Sequence, residues 1–143
     1  MGSMFASMEI NATALAAQRV RMNLIAENLA NAEVTRTPIG GPYRRKGVVL
    51  GTRGTSAFEG LLNAGAAPGG VEVLKIVESQ APPTLVYNPS HPDADTAGYV
   101  AMPNINPVME MVDLMSASRA YEANISAIQI AKSMMTKTLE IGR

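Results

Sequence analysis

The stretch Asn106-Pro107-Val108-Met109-Glu110-Met111-Val112-Asp113-Leu114-Met115-Ser116-Ala117-Ser118-Arg119-Ala120-Tyr121-Glu122-Ala123-Asn124-Ile125 decides the fold, and it runs on to Leu139 with no further Gly or Pro. Asn106 is a residue type that caps free backbone N–H groups, and Pro107 suits the first helical position. Glu110 and Asp113 complement the positive end of the helix dipole, and Gly142 supplies a stop. Leu114, Tyr121, Ile128 and Met135 recur every seventh residue, with Met111, Ile125 and Leu139 expected beside them on the same side. At 1.5 Å per residue such a helix is roughly 50 Å long, more than a chain of this size covers with its own core. It requires partners.

A second heptad pattern opens the chain. Between Phe5 and Asn31, Met8, Leu15, Met22 and Leu29 repeat every seven residues, with Phe5, Ala12, Ile25 and Ala32 alongside. The two stripes are separated by some seventy residues of different character. Thr37-Pro38-Ile39-Gly40-Gly41-Pro42 is turn chemistry, and Tyr43–Leu50 reads as a strand. A loop rich in Gly, Ala and Ser follows, with a short turn expected around Ser56 to Asn63. Val71–Glu78, Thr84–Tyr87 and Gly98–Met102 are further strands; apolar residues on both parities of the first imply double-sided burial or a bulge. The fold class is therefore α+β. Long terminal helices (1–35 and 104–143) pair as a coiled-coil-like inner domain, and a small, mainly antiparallel β unit (36–103) is inserted between them. An ordinary two-helix hairpin inside one core is the competing arrangement, but the middle is poor in large apolar residues.

Composition narrows the function. The 143 residues carry no net charge, 4% aromatics, no Trp and no Cys. No global field draws the chain to nucleic acid, and neither disulfides nor Cys-based metal sites are available. No apolar run is long enough to span a membrane, and the start lacks the basic and apolar regions of a cleaved signal peptide. His91, Asp93 and Asp95 sit together, but the calcium-loop pattern fails at Ala97 and Asn104, so a structured turn is the better reading. One His and no Cys leave the usual nucleophile and acid–base arrangements unassembled, and no cofactor motif is present. The basic stretch Arg36, Arg44, Arg45, Lys46 and Arg53 suggests either a solvated face or a patch for an acidic protein partner, centred on Arg44, Arg45 and Lys46. Ser116, Ala117, Ser118, Ala120, Ala123, Ser126 and Ala127 form a small-residue face where a second helix could approach closely.

Several blocks then point one way: Ala14-Leu15-Ala16-Ala17-Gln18-Arg19, Glu27-Asn28-Leu29-Ala30-Asn31-Ala32, Gly41-Pro42-Tyr43-Arg44-Arg45-Lys46, Val77-Glu78-Ser79-Gln80-Ala81-Pro82, Gly98-Tyr99-Val100 and Met115-Ser116-Ala117-Ser118-Arg119-Ala120-Tyr121-Glu122-Ala123-Asn124. With them the chain resembles the bacterial flagellar axial proteins, and among these the proteins of the basal-body rod, over nearly its whole length except Gly51 to Gly70. The resemblance implies a structural subunit of the proximal rod, not an enzyme. Its terminal helices would line an inner tube, with the central unit projecting outward. Implied partners are other rod proteins, the basal-body base, further copies of this chain, and the flagellar type III export apparatus, which would carry it into the periplasm-crossing rod without a cleaved signal. The implied assembly contacts are Met8, Leu15, Met22, Ile25, Leu29, Met111, Leu114, Tyr121, Ile125, Ile128, Met135 and Leu139 on the seams, with Asn28, Asn31, Ser118, Arg119 and Asn124 at helix termini and inter-subunit bonds. Hook and distal-rod relatives continue the Asn block with Thr, a spacer and Gly-Tyr; here Arg36 to Pro42 separates Thr35 from Tyr43. The alternative reading is a coiled-coil interaction module binding an acidic partner through Arg44 to Lys46. An enzyme working through Glu78, Asp93 or Asp95 is the third.

Overall fold

Asn106 caps the C-terminal helix as its residue type predicts: its Oδ1 accepts the N–H groups of Val108 (3.0 Å) and Met109 (3.3 Å), and Pro107 takes the first helical position. The computed structural model describes residues 2–53 and 69–141, so Gly142 and the turn expected at Ser56 to Asn63 lie outside the described residues. Its elements, in order, are helix α1 (Gly2–Ala30), strands β1 (Lys46–Thr52), β2 (Val71–Glu78), β3 (Thr84–Tyr87) and β4 (Tyr99–Met102), and helix α2 (Pro107–Ile141).

The fold is α+β, with the two long helices flanking the strands and packed on each other. They run antiparallel: Asn28 near the end of α1 meets Glu110 in the first turn of α2, and Arg21 meets Asp113 further along. The central unit is two separate antiparallel hairpins, β1–β2 and β3–β4. The first packs against α1, whereas β3 and β4 approach neither helix nor the other hairpin closely. In β2 the two-sided apolar pattern marks a bulge. Val49 pairs with Lys75 but Leu50 pairs with Val73, leaving Leu74 as the extra residue. Leu74 lies over Gly51, where a Cβ would come within 2.7 Å of it.

Tyr43 to Arg45 stay outside the ladder although their sequence reads as strand. The backbone there closes a loop, Tyr43 N–H donating to Val34 C=O (3.0 Å), and the Tyr43 and Arg45 side chains turn inward to polar partners. The start of β2 is fastened differently. Thr13 on α1 donates its hydroxyl to Ile10 C=O (2.7 Å) and accepts the Val71 N–H (3.0 Å). Gly70 precedes that contact at φ +122°, and any Cβ there would collide with Thr13 Oγ1. Both the dihedral and the close approach require glycine.

The core is thin. Among the described residues the buried apolar side chains are Ala17, Leu24, Ile25, Tyr43, Val100, Ala117 and Ala131. Three are alanines, each contributing about one buried methyl, roughly 0.8 kcal/mol. The chain exposes 10007 Å² of surface. A compact monomer of 15.1 kDa would expose about 7,100 Å².

Replacing Gly70 by alanine is expected to destabilise the chain by about 1–3 kcal/mol through backbone strain and the Thr13 collision. Urea unfolding followed by circular dichroism measures it, and an unchanged midpoint would show that the α1–β2 fastening contributes nothing to stability.

Candidate functional site

The end of α1, the approach to β1 and the first turn of α2 converge on one buried amide. Asn28 is fully buried. Its Nδ2 donates to Lys46 C=O (2.8 Å) and to Glu110 Oε2 (3.1 Å), while its Oδ1 accepts the Lys46 N–H (2.8 Å) and the Tyr43 hydroxyl (3.2 Å). Two donors and two lone pairs are thereby used in full. Glu110, 2% exposed, takes a second bond on Oε1 from Arg45 Nε at 2.6 Å. Arg45 extends to Asp113 (3.6 Å), which also lies 4.0 Å from Arg21. Lys46 Nζ meets Glu27 Oε1 at 2.5 Å and stands 5.6 Å from the centre of the Tyr43 ring. Burial, and next the Glu27 carboxylate, push the Tyr43 hydroxyl up from its usual 10 to about 12. The hydrogen bond to Glu27 holds the Lys46 ammonium above the usual lysine range.

The basic stretch is thus divided. Arg45 and Lys46 turn into the molecule and pair with Glu110, Asp113 and Glu27. Arg44 is exposed and among the described residues reaches only Gln80, at 3.4 Å. The seam residues are placed as follows. Ile25 is buried, while Met8, Leu15, Met22 and Leu29 on α1, and Leu114, Tyr121, Ile125, Ile128 and Met135 on α2, are half-buried. Met111, Arg119 and Leu139 are exposed, and Ser118 is half-buried. Asn31 and Asn124, also half-buried, bond back to the Glu27 and Ala120 carbonyls (2.8 and 2.9 Å). Asn28, implied by the resemblance to serve contacts between subunits, makes its bonds inside the chain.

Residues missed as seam members are Glu110, Ala117 and Ala131, all buried, which with Asn124 form a second seven-residue repeat on α2. The most deeply buried positions of the helix within the chain are therefore these, while Met111 and Leu139 stay exposed. Their spacing is visible in the sequence, but a carboxylate and two alanines do not score as apolar anchors. Ala117 and Ala131 mark where the helix face is flattest, and the expected small-residue face contributes Ala117 to the packing within the chain. In the loop between β3 and β4, Asp95 Oδ1 accepts the Ala97 and Tyr99 N–H groups (2.8 and 2.9 Å), and Asp93 Oδ2 accepts the Thr35 hydroxyl (2.7 Å). Asp95 thus holds a turn, whereas Asp93 ties the loop to the segment that follows α1. Among the described residues no group of His, Asp and Glu has the arrangement of a metal site, and no helix is long and apolar enough to cross a membrane.

Comparison with known proteins gives this arrangement a setting. Residues 8–36 match the family model described as flagella basal body rod protein, and residues 96–141 match the flagellar basal body rod FlgEFG protein C-terminal model. The chain is 47% identical to the flagellar basal-body rod protein FlgC of Bacillus subtilis, over 97% of this chain and 98% of that protein. It is 50% identical to FlgC of an Escherichia coli strain (94% and 95%) and 42% identical to that of Borreliella burgdorferi (96% and 97%). The chain belongs to the FlgC family of flagellar basal-body rod proteins. In FlgC-family terms, the two matched segments are the helix α1 side and the β4–α2 side of the buried joint. The amide of Asn28 and the carboxylate of Glu110 link them directly.

Two measurements probe the joint. Asn28→Asp places a second carboxylate against Glu110 and is expected to cost about 3–5 kcal/mol, as breaking a buried charged network does. Asn28→Ala should cost about 1–3 kcal/mol; equal unfolding midpoints for the two variants would contradict a buried amide at this position. Tyr43 supplies the second. Its hydroxyl binds its proton more tightly folded than unfolded, so its share of stability is complete below pH 10 and is lost as pH rises toward about 12. The tyrosinate absorbance missing from Tyr43→Phe should be the part that develops near pH 12, and the variant should lose less stability across that window.

Proposed function

We propose that the chain is a structural subunit of the proximal part of the bacterial flagellar basal-body rod, and that it polymerises through its paired terminal helices and carries torque passively. The observation that supports polymerisation best is the surface. Large apolar side chains on the helices lie uncovered in the single chain: Phe5, Val108, Met109, Met111, Val112, Met115, Ile130 and Leu139 are all exposed. In this reading 1–35 and 104–143 form the inner helical domain and 36–103 the outward unit. The assembly contacts are the half-covered stripe Met8, Leu15, Met22 and Leu29 together with Met111, Leu114, Tyr121, Ile128, Met135 and Leu139. Other rod proteins, the basal-body base and further copies of the chain are its neighbours. The flagellar type III apparatus exports it to a rod that crosses the periplasm. The role is mechanical and needs no catalytic step. Membership of the FlgC family, whose relatives carry the name basal-body rod protein, supports the setting.

Deleting the gene is expected to abolish swimming and complete basal bodies in electron micrographs, and the intact gene should restore both. A deletion strain that swims with normal basal bodies overturns the reading. Hydrogen exchange on dilute monomer tests the mode of assembly. Amides near both chain ends should exchange fast and gain protection in the assembled rod; full protection in the isolated monomer would count against ordering by assembly.

A further inference from the structure

Ile39 is 99% exposed. It stands at the tip of a loop built to hold it there. Thr37 N–H donates to Gly41 C=O (2.9 Å), Gly40 N–H donates to Thr37 C=O (2.9 Å), and Tyr43 N–H to Val34 C=O (3.0 Å) closes the base. Gly40 and Gly41 adopt φ of +97° and +75°, conformations that suit glycine, and Pro38 and Pro42 stiffen the two arms. The base is anchored through Tyr43 to the buried Asn28. A rigid loop that presents a bare isoleucine loses little entropy on docking.

The chain also carries a matching hollow. Where α1 and β2 diverge lies an open cleft of about 330 Å³, lined by Thr13, Ala16, Ala17, Val20, Val71 and Val73, with Arg53 and Glu72 at its margin. Two adjacent alanines leave the space that larger side chains would fill. Arg36 and Arg44 flank the loop; at the cleft Arg53 is paired with Glu9 (3.8 Å), which leaves exposed Glu72 as the charge opposite in sign to the loop's. Neither Arg36 nor Glu72 has a partner among the described residues. We propose that Ile39 of one copy inserts into the α1–β2 cleft of the next copy, with Arg36 facing Glu72. Knob and hollow are different surfaces of one chain, so the contact is head-to-tail and propagates into an open helical array. It rests on the rod reading above and adds to it a contact outside the helix seams.

The chain has no cysteine, so the contact can be trapped. Basal bodies are purified from a strain carrying Ile39→Cys together with Ala16→Cys and then oxidised. A ladder of disulfide-linked copies beyond the dimer is expected, whereas either single variant should yield dimers at most. Both positions are exposed or at an open cleft, and circular dichroism of the variant checks that its helices form. If the chain is present in basal bodies and no ladder appears, the proposal is wrong. A cross-link from Ile39→Cys to a different protein would also overturn it, by naming another occupant. Ile39→Asp should abolish swimming while Ile39→Leu preserves it; normal swimming by Ile39→Asp removes the knob but leaves the rod reading standing. Absence of the wild-type chain from basal bodies would remove the rod reading itself.

Discussion

Everything distinctive in this molecule is arranged around the need to satisfy one buried amide. Asn28 is fully buried, so each of its four hydrogen-bonding positions must be met by protein, and they are met by Tyr43, Lys46 and Glu110, from two separate parts of the chain. An unmet donor or acceptor there would cost about 1–3 kcal/mol. That cost makes the arrangement selective. The end of α1, the backbone at Lys46 and the first turn of α2 can satisfy the amide only in one mutual placement. The β1–β2 hairpin is thereby set relative to the helix pair, and Thr13 fixes its far end through the Val71 N–H.

Selectivity of this kind matters because the helix pair supplies little of its own. Buried positions on α2 are Glu110, Ala117 and Ala131, and α1 adds Ala17, Leu24 and Ile25. Alanine allows close approach but gives no shape that distinguishes one register from another a turn away. Apart from Leu24 and Ile25, the larger residues that could do so are half-covered or exposed in the single chain. A polar contact at one end then does what a core of leucines does elsewhere: it specifies alignment at some expense in stability. The FlgC-family chain is thus aligned by polar groups inside and left apolar outside, where the proposed neighbours would complete it.

Much of this was legible in the sequence. Both helices, the cap at Asn106, the spans of β2 and β3 and the bulge in β2 follow from periodicity and residue type. The joint was not. Glu110 in the first turn of a helix reads as a residue complementing the dipole, and nothing local separates that role from burial against a residue 82 positions away. Arg45 and Lys46 read as a surface patch because their partners, Glu110, Asp113 and Glu27, come from both ends of the chain. The seam lies on the expected helices, but its packed side passes through alanines and a carboxylate. Hydrophobicity is a poor guide where the closest contacts are made by the smallest residues. The fold class rests on local patterns, whereas the joint is a long-range contact with a weak local signature.

The same distribution bears on how the chain ends would order by assembly. Surface buried within one copy scales with the large apolar residues turned inward, and here many of them face outward, along α2 and on the strands alike. A single copy aligns its helices by the joint at one end, and beyond it the buried contacts on α2 are the small residues Ala117 and Ala131. Neighbouring helices would cover the exposed methionines and valines of α2 and lengthen the ordered region outward from the joint. Methionine suits such contacts because its unbranched, flexible side chain fits surfaces that differ from one neighbour to the next. A subunit that must meet several related partners gains more from an adaptable seam than from a tight one, while the polar joint keeps its own internal alignment independent of which neighbour it meets.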